Sequence, residues 1–575
     1  MKKCTIKCSR LFQVFLRKVI GKRGKKILIV QGKGKQYDAS TLLLEIAKEW
    51  QGSYATLIVA AKLNNVVKDL QVPVNNYQTI EFIDMTSELG MKIYRRSIGF
   101  LLITALHEVF STAEIIVECS IKNALYCKVI FPDSTVIDAV KVELIEARMK
   151  QLVKNKLPIV RKTLNKEAAV QLFKKAQQIE KANLIASLQQ KTVSIYYCGE
   201  FYDYLYGAML PSTEHLDVFA LDYYAEGIVL RTPMDDVPNE VPALSMQHKL
   251  ANIFNEAERW AKILHCGYVT DLNRYNRIGG ISDIIRVSEA LHEKRIAQIA
   301  DHITADKRLR IILIAGPSSS GKTTFAQRLR IQLRVNGIEP VSISLDDYFL
   351  NRLHTPRNER GEYDFEALAA VDINLFNEHM MKLLSGKAVT LPRYNFVTGE
   401  RSWIGREPLQ LGKDQPVIIE GIHGLNEKLT EMIPHEAKYK IYISPLTQLN
   451  IDAHNRIPTT DARLIRRMVR DHQSRGAYAL KTLRQWPNVR AGEEKNIFPY
   501  QEEADVMFNS ALIYELGILK KYAKPLLEKV SVDVEEYSEA VRLLDFLNYV
   551  HDIYNEDDIP NNSILREFIG KSCFL

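Results

Sequence analysis

A glycine- and serine-rich stretch in the second half of this 575-residue chain limits the fold of everything around it. The stretch reads Gly316-Pro-Ser-Ser-Ser-Gly-Lys322-Thr323 and fits the pattern G-x-x-x-x-G-K-[ST]. A β-type apolar run, 310–315, precedes it, and an amphipathic stretch, 324–333, follows it. A strand, a phosphate-binding loop and a helix in that order form a P-loop, so the stretch predicts a nucleotide site in an α/β fold.

Each residue type in this stretch has a chemical task. Glycines let backbone N–H groups curl around phosphate oxygens, and the helix N-terminus adds a positive dipole. We expect the Lys322 ammonium to act on the β- and γ-phosphates as a catalytic group, and the Thr323 hydroxyl to ligate Mg²⁺. The predicted cofactors are therefore ATP and Mg²⁺; the alternative is a Gly/Ser-rich connection that binds nothing. The predicted ATP-binding residues of the loop are Gly316, Pro317, Ser318, Ser319, Ser320, Gly321, Lys322, Thr323 and Thr324.

Short apolar runs alternate with helical stretches after residue 310, which predicts a parallel sheet with helices on both faces. Asp346 and Asp347 follow the run 341–345, and Glu420 follows the run 417–419. The carboxyl ends of parallel strands face the ligand crevice. Asp346 could there accept a proton from an attacking hydroxyl, and Glu420 could lie beside the metal with Thr323. The alternatives are carboxylates that cap a turn or simply end a strand.

Arginines mark a third feature of this half of the chain. Arg463, Arg467 and Arg470 stand at i, i+4 and i+7, on one helix face, and Arg475 follows. Guanidinium groups that close over phosphates are what a phosphoryl-transfer lid requires. The alternative is a solvated basic helix.

Residues 305–530 resemble the uridine kinase and phosphoribulokinase family, most closely uridine–cytidine kinases. The P-loop carries the resemblance together with Ser344-Leu-Asp346-Asp347-Tyr348, Tyr363-Asp-Phe365-Glu366 and Leu391-Pro392-Arg-Tyr394. The resemblance implies in-line transfer of the γ-phosphoryl group of ATP to a nucleoside 5′-hydroxyl, with Asp346 as general base and Glu420 beside Mg²⁺. The implied substrate-binding residues are Asp346, Tyr348, Glu366, Tyr394 and Arg467, and Arg470 and Arg475 would hold ATP phosphates.

The sequence departs from that family at several positions. Glu366 replaces the family's aspartate, Gly399 stands where a histidine follows the base-pocket tyrosine, and Ala477 stands where a lid arginine is expected. The stretch 484–503 has no close counterpart. A phosphorylated sugar or another polyol therefore stays open as the acceptor.

Residues 27–240 resemble the N-terminal half of threonyl-tRNA synthetase. The resemblance is carried by the stretches 61–69, 96–105 and 201–213. It implies a TGS-type β-grasp domain followed by an editing-type domain. The positions of the family's metal ligands hold Phe100, Thr104, Leu205 and Met209, none of which is a good ligand, so we predict that the editing fold is kept and its chemistry lost.

Charge and cysteine content exclude several classes of protein. The net charge is +8, but residues 1–26 hold ten Lys or Arg and no acid, so the rest carries −2 and shows no large nucleic-acid-binding field. Seven scattered cysteines without a C-x-x-C fit a reducing cytoplasm. The apolar run 98–106 is about half of a membrane span, so no membrane contact is expected.

An RNA- or ribosome-associated regulator acting through 27–240 stays open as an alternative function. The kinase resemblance implies a homo-oligomer.

The predicted architecture is multidomain, with α/β and α+β parts. We expect the C-terminal stretch 563–568 to pack against the body of the protein, because it is apolar. The predicted divisions are a basic tail (1–26), a TGS-like β-grasp domain (27–88), an α+β editing-like domain (89–240), a helical linker (241–304), a P-loop kinase domain (305–527) and an acidic helical tail (528–575).

Overall fold

The computed structural model of the protein describes residues 25–574, with gaps at 31–32, 75–78, 122–123, 134, 244–246, 358–360 and 362. The chain divides into two compact units. Unit 1 comprises Met1–Ala169, Gln190–Leu244 and Ser531–Ser538; unit 2 comprises Val170–Gln189, Ser245–Val530 and Glu539–Leu575. Nearly all of the predicted basic tail lies outside the described residues. Each compact unit spans several of the six predicted divisions, so the boundaries between those divisions stay predictions.

A mixed five-stranded sheet and one helix form the first part of unit 1. Helix α1 (Leu43–Trp50) buries Leu43, Ile46 and Ala47, the spacing expected of an amphipathic helix. The strands are β1 (Lys25–Val30), β2 (Lys33–Asp38), β3 (Ile58–Leu63), β4 (Val66–Lys68) and β5 (Thr79–Asp84). They lie in the order β2-β1-β5-β3-β4, with β1 and β5 parallel.

Helix α2 (Glu88–Val109) is the centre of the second part of unit 1. The hydroxyl of Ser87 caps it by accepting a hydrogen bond from Gly90 N at 3.1 Å. Its buried face packs with two antiparallel sheets, ordered β11-β12-β7-β6 and β10-β9-β8, into one apolar core. The elements are β6 (Glu114–Ile121), β7 (Ala124–Ile130), α3 (Ala139–Lys154), β8 (Ile159–Asn165), β9 (Thr192–Cys198), β10 (Phe201–Asp203), β11 (Ala220–Tyr224) and β12 (Gly227–Arg231).

Five further helices precede the parallel sheet of unit 2. The sequence predicts one helix over 168–189, which is wrong: α4 (Lys166–Lys175) and α5 (Ile179–Ser187) are separated by Gln177, whose φ is +58°. The sequence also predicts a break at Gly279-Gly280 in the mostly helical stretch 245–300, which is confirmed, because Gly279 has a φ of +81° there. No described helix is long and apolar enough to cross a membrane. The other three are α6 (His248–Ile263), α7 (Val269–Arg277) and α8 (Ile281–Ala305).

A five-stranded parallel sheet organises unit 2 and confirms the alternating pattern predicted after residue 310. All side chains of its central strand are buried, which explains the unbroken apolar run in the sequence. The strands are β13 (Ile311–Ala315), β14 (Val341–Ser344), β17 (Val417–Glu420), β18 (Lys438–Ser444) and β19 (Val506–Asn509), in the order β14-β17-β13-β18-β19. Adjacent strands β14, β17 and β13 therefore end side by side.

The remaining elements of unit 2 surround that edge. A two-stranded hairpin, β15 (Arg393–Asn395) and β16 (Glu400–Ser402), turns at Gly399, whose φ is +75°. The C-terminal stretch, predicted to pack on the body, does so: Ile564, Leu565 and Phe568 are fully buried. The helices are α9 (Lys322–Val335), α10 (Ile373–Leu384), α11 (Thr459–Arg475), α12 (Ala479–Asn496), α13 (Glu515–Leu527), α14 (Tyr537–Leu547) and α15 (Arg566–Ile569).

Candidate active site

The P-loop joins the central strand β13 to helix α9. Ser319 and Gly321 adopt left-handed φ values of +60° and +85°, which turn the chain sharply into the helix. A Cβ at Gly316 would overlap the carbonyl oxygen of Ile443, so glycine is required where the loop passes β18. The predicted strand, loop and helix are therefore all present.

Donors beneath the loop hold three successive carbonyl groups. Arg463 Nε donates to Ser318 O at 3.0 Å, and Arg466 Nη1 donates to Ser319 O at 3.4 Å. The hydroxyl of Ser510 donates to Ser320 O at 2.6 Å. Because a trans peptide points its C=O and N–H in opposite directions, these bonds turn the following N–H groups away from the buried arginines. Arg463, predicted to share a lid face with Arg467 and Arg470, is instead buried under the loop.

Lys322, Thr323 and Glu420 meet where β13 and β17 end. The Thr323 hydroxyl donates to Glu420 Oε1 at 3.0 Å. Glu420 Oε2 is buried and has no hydrogen-bond partner in the part of the chain that the structure describes. Burial raises the pKa of Glu420 to about 7, although the Lys322 ammonium and the Thr323 hydroxyl oppose this. The ammonium of Lys322 donates to Gly316 O at 2.8 Å and Pro317 O at 3.2 Å.

Asp346 stands at the end of β14, on the same edge. It is open to solvent, yet the surrounding protein raises the pKa of its carboxyl group, while the Lys322 charge lowers it. Burial lowers the pKa of Lys322, and the charges of Glu420, Glu567 and Asp346 act in the opposite direction. Asp346 and Glu420 thus lie at the same edge of the sheet as Lys322, as expected for the ends of parallel strands, while their roles stay predictions.

Glu366 and a group of aromatic rings include two of the predicted substrate-binding residues. Burial raises the pKa of Glu366 to about 7, and the nearby carboxylate of Glu493 adds to this effect. Tyr394 N donates to Asp347 Oδ1 at 3.1 Å, which fixes the start of the hairpin. The Tyr394 hydroxyl is buried without a hydrogen-bond partner among the described residues. Ring pairs at 5.1–6.0 Å between centroids connect Phe349, Phe365, Tyr394 and Phe396.

Two positions named in the sequence analysis have surroundings in the structure that the sequence did not predict. Tyr348 is fully buried, and its hydroxyl lies 3.2 Å from His379 Nδ1 in the core, so its predicted substrate contact finds no support in this placement. At Gly399, a Cβ would lie 2.7 Å from Arg352 Nε. An arginine therefore occupies the space beside the position where the family carries histidine.

The predicted lid arginines converge on one buried acid. Asp471 lies 3.4 Å from Arg467 Nε, 2.9 Å from Arg470 Nη2 and 3.4 Å from Arg475 Nη1. Arg467 also donates to Ser318 Oγ at 2.8 Å, and Arg470 lines the cavity at the loop. The side chain of Arg475 is 62% exposed.

Sequence reasoning missed two carboxylates at the P-loop. Glu493 Oε1 accepts from Ser318 N at 2.9 Å, and Glu567 Oε2 accepts from Thr324 N at 3.2 Å and Thr324 Oγ1 at 2.8 Å. Neither belongs to a motif, and each is more than a hundred residues away in the chain. They help to enclose a cavity of about 150 Å³. Its lining comprises Ser318, Ser319, Ser320, Gly321, Lys322, Thr323, Glu366, Ile422, Arg470, Val489, Glu493, Ile497 and Glu567.

The positions of the synthetase-type metal ligands lie in the core of unit 1. Phe100, Leu205 and Met209 belong to its apolar cluster, and the Thr104 hydroxyl donates to Phe100 O at 2.8 Å. Within the described ranges, no group of three or more His, Cys, Asp or Glu is arranged to hold a metal ion. The loss of editing chemistry stays a prediction.

Comparisons with known proteins support both predicted resemblances. Residues 311–514 match the model of the "Phosphoribulokinase / Uridine kinase family". A threonine–tRNA ligase of Desulforamulus reducens is 30% identical over 192 residues, which are 33% of this chain and 30% of that protein. Threonine–tRNA ligase 1 of Bacillus subtilis is 32% identical over 197 residues, 34% of this chain and 30% of that protein. The chain thus spans about 30% of the length of these relatives.

Among solved structures, matches cover part of the chain at low TM-scores. One described as "a Possible Uridine Kinase from Bacillus stearothermophilus" is 21% identical, with a TM-score of 0.25, and the match covers 37% of this chain and 97% of that one. The YGR205w protein is 14% identical, with a TM-score of 0.27 and coverage of 39% and 91%. With the family model and the curated relatives, the predicted pairing of a uridine kinase-type C-terminal region with a synthetase-type N-terminal region is confirmed.

Proposed function

We propose that the protein is an ATP-dependent kinase that phosphorylates the 5′-hydroxyl of a nucleoside. The observation that carries the proposal is the meeting of Lys322, Thr323, Asp346 and Glu420 at the carboxyl edge of three adjacent parallel strands. Phosphoryl transfer depends on positioning and on stabilising charge around the transferred group, and these residue types supply both.

Glu420 and Thr323 fit a magnesium ion. Among the described residues no hydrogen-bond donor reaches the buried Oε2 of Glu420, and the Thr323 hydroxyl lies beside this carboxylate. Oxygen ligands of this kind are those Mg²⁺ prefers, with the remainder supplied by phosphates and water. When bound, the ion neutralises charge on the phosphates. Lys322 and the loop N–H groups orient the phosphates of ATP, and Arg467 and Arg470 supply further positive charge at the loop.

Asp346 is the group that accepts the hydroxyl proton in this proposal. Its carboxyl pKa is raised by the surrounding protein, which makes the carboxylate a stronger proton acceptor than an aspartate in water. The nearby Lys322 ammonium keeps the ionised form accessible. Asp346 is thereby poised to take the proton and Lys322 to act on the transferred group.

The acceptor side favours a nucleoside. Carboxylates suit ribose hydroxyls, and Glu366 supplies one beside the P-loop cavity. Four aromatic rings offer a surface for a flat base, and the Tyr394 hydroxyl, which has no partner in the described part of the chain, offers one polar contact. A phosphorylated sugar is the second candidate, because Arg352 beside Gly399 places a cation where it could pair with a phosphate.

A panel of acceptors tests the proposal. ADP release with Mg·ATP is measured for uridine, cytidine, adenosine, guanosine, inosine, thymidine, ribulose 5-phosphate and no acceptor. Asp346→Asn should lower kcat by about 10²–10⁴ and leave the Kd of Mg·ATP nearly unchanged. Asp347→Asn is the matched control: Asp347 accepts from Tyr394 N, so we expect a higher acceptor KM and a smaller loss of kcat. A near-normal kcat in Asp346→Asn would remove Asp346 as the base.

For residues 27–240 we propose a TGS-like β-grasp domain, an editing-type domain and RNA as the class of partner. On the sheet β10-β9-β8, the half-buried rings of Tyr197 and Tyr202 lie 5.5 Å apart, and Lys162 Nζ lies 4.3 Å from the Tyr197 ring. Aromatic rings beside a cation suit unpaired bases. Tyr196 and Tyr204, of the same tyrosine-rich stretch, are buried and pack in the core.

A further inference from the structure

A carboxylate from the far end of the chain is hydrogen-bonded to the P-loop helix. Glu567 lies in the C-terminal segment, defined here as Ser563–Gly570. Its Oε2 accepts from both donors of Thr324, the backbone N–H at 3.2 Å and the hydroxyl at 2.8 Å. Thr324 is one of the predicted ATP-binding residues, and the N-terminus of α9 favours any anion placed there. A side chain of this protein thus takes a position suited to the ligand.

The C-terminal segment is anchored around that carboxylate. Ile564, Leu565 and Phe568 are fully buried. A Cβ at Gly321 would lie 2.5 Å from Ile564 Cγ2, so the segment touches the P-loop glycine itself. Ser563 Oγ donates to Glu289 Oε1 of α8 at 2.5 Å. Packing therefore brings Glu567 to the loop at a high effective concentration, as an intramolecular ligand.

Glu567 is the more easily displaced of the two carboxylates at the loop. Glu493 is 1% exposed and is paired with the buried Arg463 and with Arg490, so its removal would strand a buried charge. The hydrogen bonds of the Glu567 carboxylate within the described residues all go to Thr324, and its side chain is half-buried. Rotation of that one side chain frees both donors.

The arrangement conflicts with a bound nucleoside triphosphate. The cavity at the loop measures about 150 Å³, below the roughly 300–1,000 Å³ of small-molecule sites. Two carboxylates at the loop also repel the phosphates that the loop would bind. The nucleotide and the Glu567 carboxylate cannot both hold Thr324.

We propose that Glu567 is an internal competitor of the nucleotide: its carboxylate holds the Thr324 donors until the phosphates of the nucleotide displace it. The proposal rests on the proposed function, since it concerns the nucleotide site of that kinase. The apparent Kd of Mg·ATP equals the intrinsic Kd divided by the fraction of molecules in which Glu567 is away. If Glu567 holds Thr324 in about 90% or more of the molecules, removing its charge lowers the apparent Kd at least about tenfold.

Calorimetric titration of the full chain tests this with Mg·ATP and, separately, with inorganic pyrophosphate as a probe without a nucleoside. Glu567→Gln keeps the shape of the side chain and removes its charge; we expect Mg·ATP to bind about tenfold or more tightly than to the unmodified protein. Glu567→Ala is the second variant and should show the same direction. Asp558→Asn is the matched control: Asp558 is bound to Ser282 and Arg286 of α8, so it tests the attachment of the C-terminal region without touching the loop.

The outcomes separate the two proposals. Tighter Mg·ATP binding in both Glu567 variants, with Asp558→Asn unchanged, supports the internal competitor. Folded Glu567 variants that bind Mg·ATP as the unmodified protein does, or more weakly, overturn it and leave the kinase proposal standing. A similar gain in Asp558→Asn also overturns it, because release of the region and not the Glu567 charge would then be the cause. If no variant binds Mg·ATP or pyrophosphate, the nucleotide site itself is refuted, and both proposals fall.

Discussion

Glu493→Gln should destabilise the region around the P-loop far more than Glu494→Gln, the same change at the next residue. Glu493 and Arg463 are paired, and each side chain is 1% exposed. Glutamine at 493 would leave the Arg463 guanidinium buried without its counter-ion. Breaking a buried pair in this way costs about 3–5 kcal/mol. Glu494 is 62% exposed and pairs with Arg490 at i,i+4, an arrangement worth about 0.3–0.5 kcal/mol.

Hydrogen exchange measured by mass spectrometry is the suitable assay. The chain has two compact units, so one unfolding midpoint does not report on one region. Peptides from α11 and α9 report on the neighbourhood of the pair directly. Since about 1.4 kcal/mol corresponds to a factor of ten, Glu493→Gln should speed their exchange by about 100- to 4,000-fold, up to the limit set by the stability of unit 2. Glu494→Gln should change it by about twofold at most.

A double variant identifies the cause of the loss. Arg463→Met combined with Glu493→Leu removes both charges, and apolar replacement of a whole buried pair is often close to neutral, so most protection should return. Equal exchange in Glu493→Gln and Glu494→Gln would refute the reasoning, because the buried pair would then contribute no more than the exposed one. Failure of the double variant to recover would assign its remaining cost to the lost hydrogen bonds with Ser318, from Arg463 Nε to Ser318 O and from Ser318 N to Glu493 Oε1.

Two further predictions concern other groups. The pKa of Glu366 is raised to about 7, and its ionised form accepts stronger hydrogen bonds from hydroxyl groups than its protonated form does, so acceptor affinity should rise as the pH rises through about 7. In Glu366→Gln the acceptor KM, measured from pH 5.5 to 8.5, should lose that step, and an unchanged profile would contradict the assignment. On the sheet β10-β9-β8, Tyr197→Ala should weaken binding of single-stranded RNA by about tenfold, from a stacking loss of about 1–3 kcal/mol. Tyr224→Ala, in the sheet β11-β12-β7-β6, is the control. Equal binding of RNA by the unmodified protein and both variants in a filter assay would remove this face as an RNA site.

Local pattern and strand topology account for what the sequence predicts well. The P-loop is a contiguous motif between a strand and a helix, so its place in the fold can be read directly from neighbouring residues. Asp346 and Glu420 are far apart in sequence, yet each ends a strand of one parallel sheet, and such strand ends share an edge. The general rule about parallel sheets brings them together without knowledge of any contact.

Tertiary packing decides what the sequence could not show. The i, i+4, i+7 spacing correctly predicts the helix that carries Arg463, Arg467 and Arg470, but it does not say which end of the row passes under the loop. Glu493 and Glu567 reach the loop across 175 and 243 residues, and no spacing rule links positions that far apart. The helix predicted over 168–189 failed because an amphipathic pattern can continue through a turn, here at Gln177.

The nucleotide site gathers several carboxylates around one ammonium group. Asp346, Glu420 and Glu567 lie around Lys322, and Glu493 is also near but is paired with Arg463 and Arg490. Burial is the main cause of the Glu420 pKa of about 7, and the charges of Glu567 and Asp346 add to it. Phosphates add further negative charge, so their binding requires a cation to enter or a carboxylate to leave. Glu420 is placed to bind the entering cation, and Glu567 is the carboxylate that can leave. Metal binding and displacement of Glu567 should therefore act together on the affinity for the nucleotide.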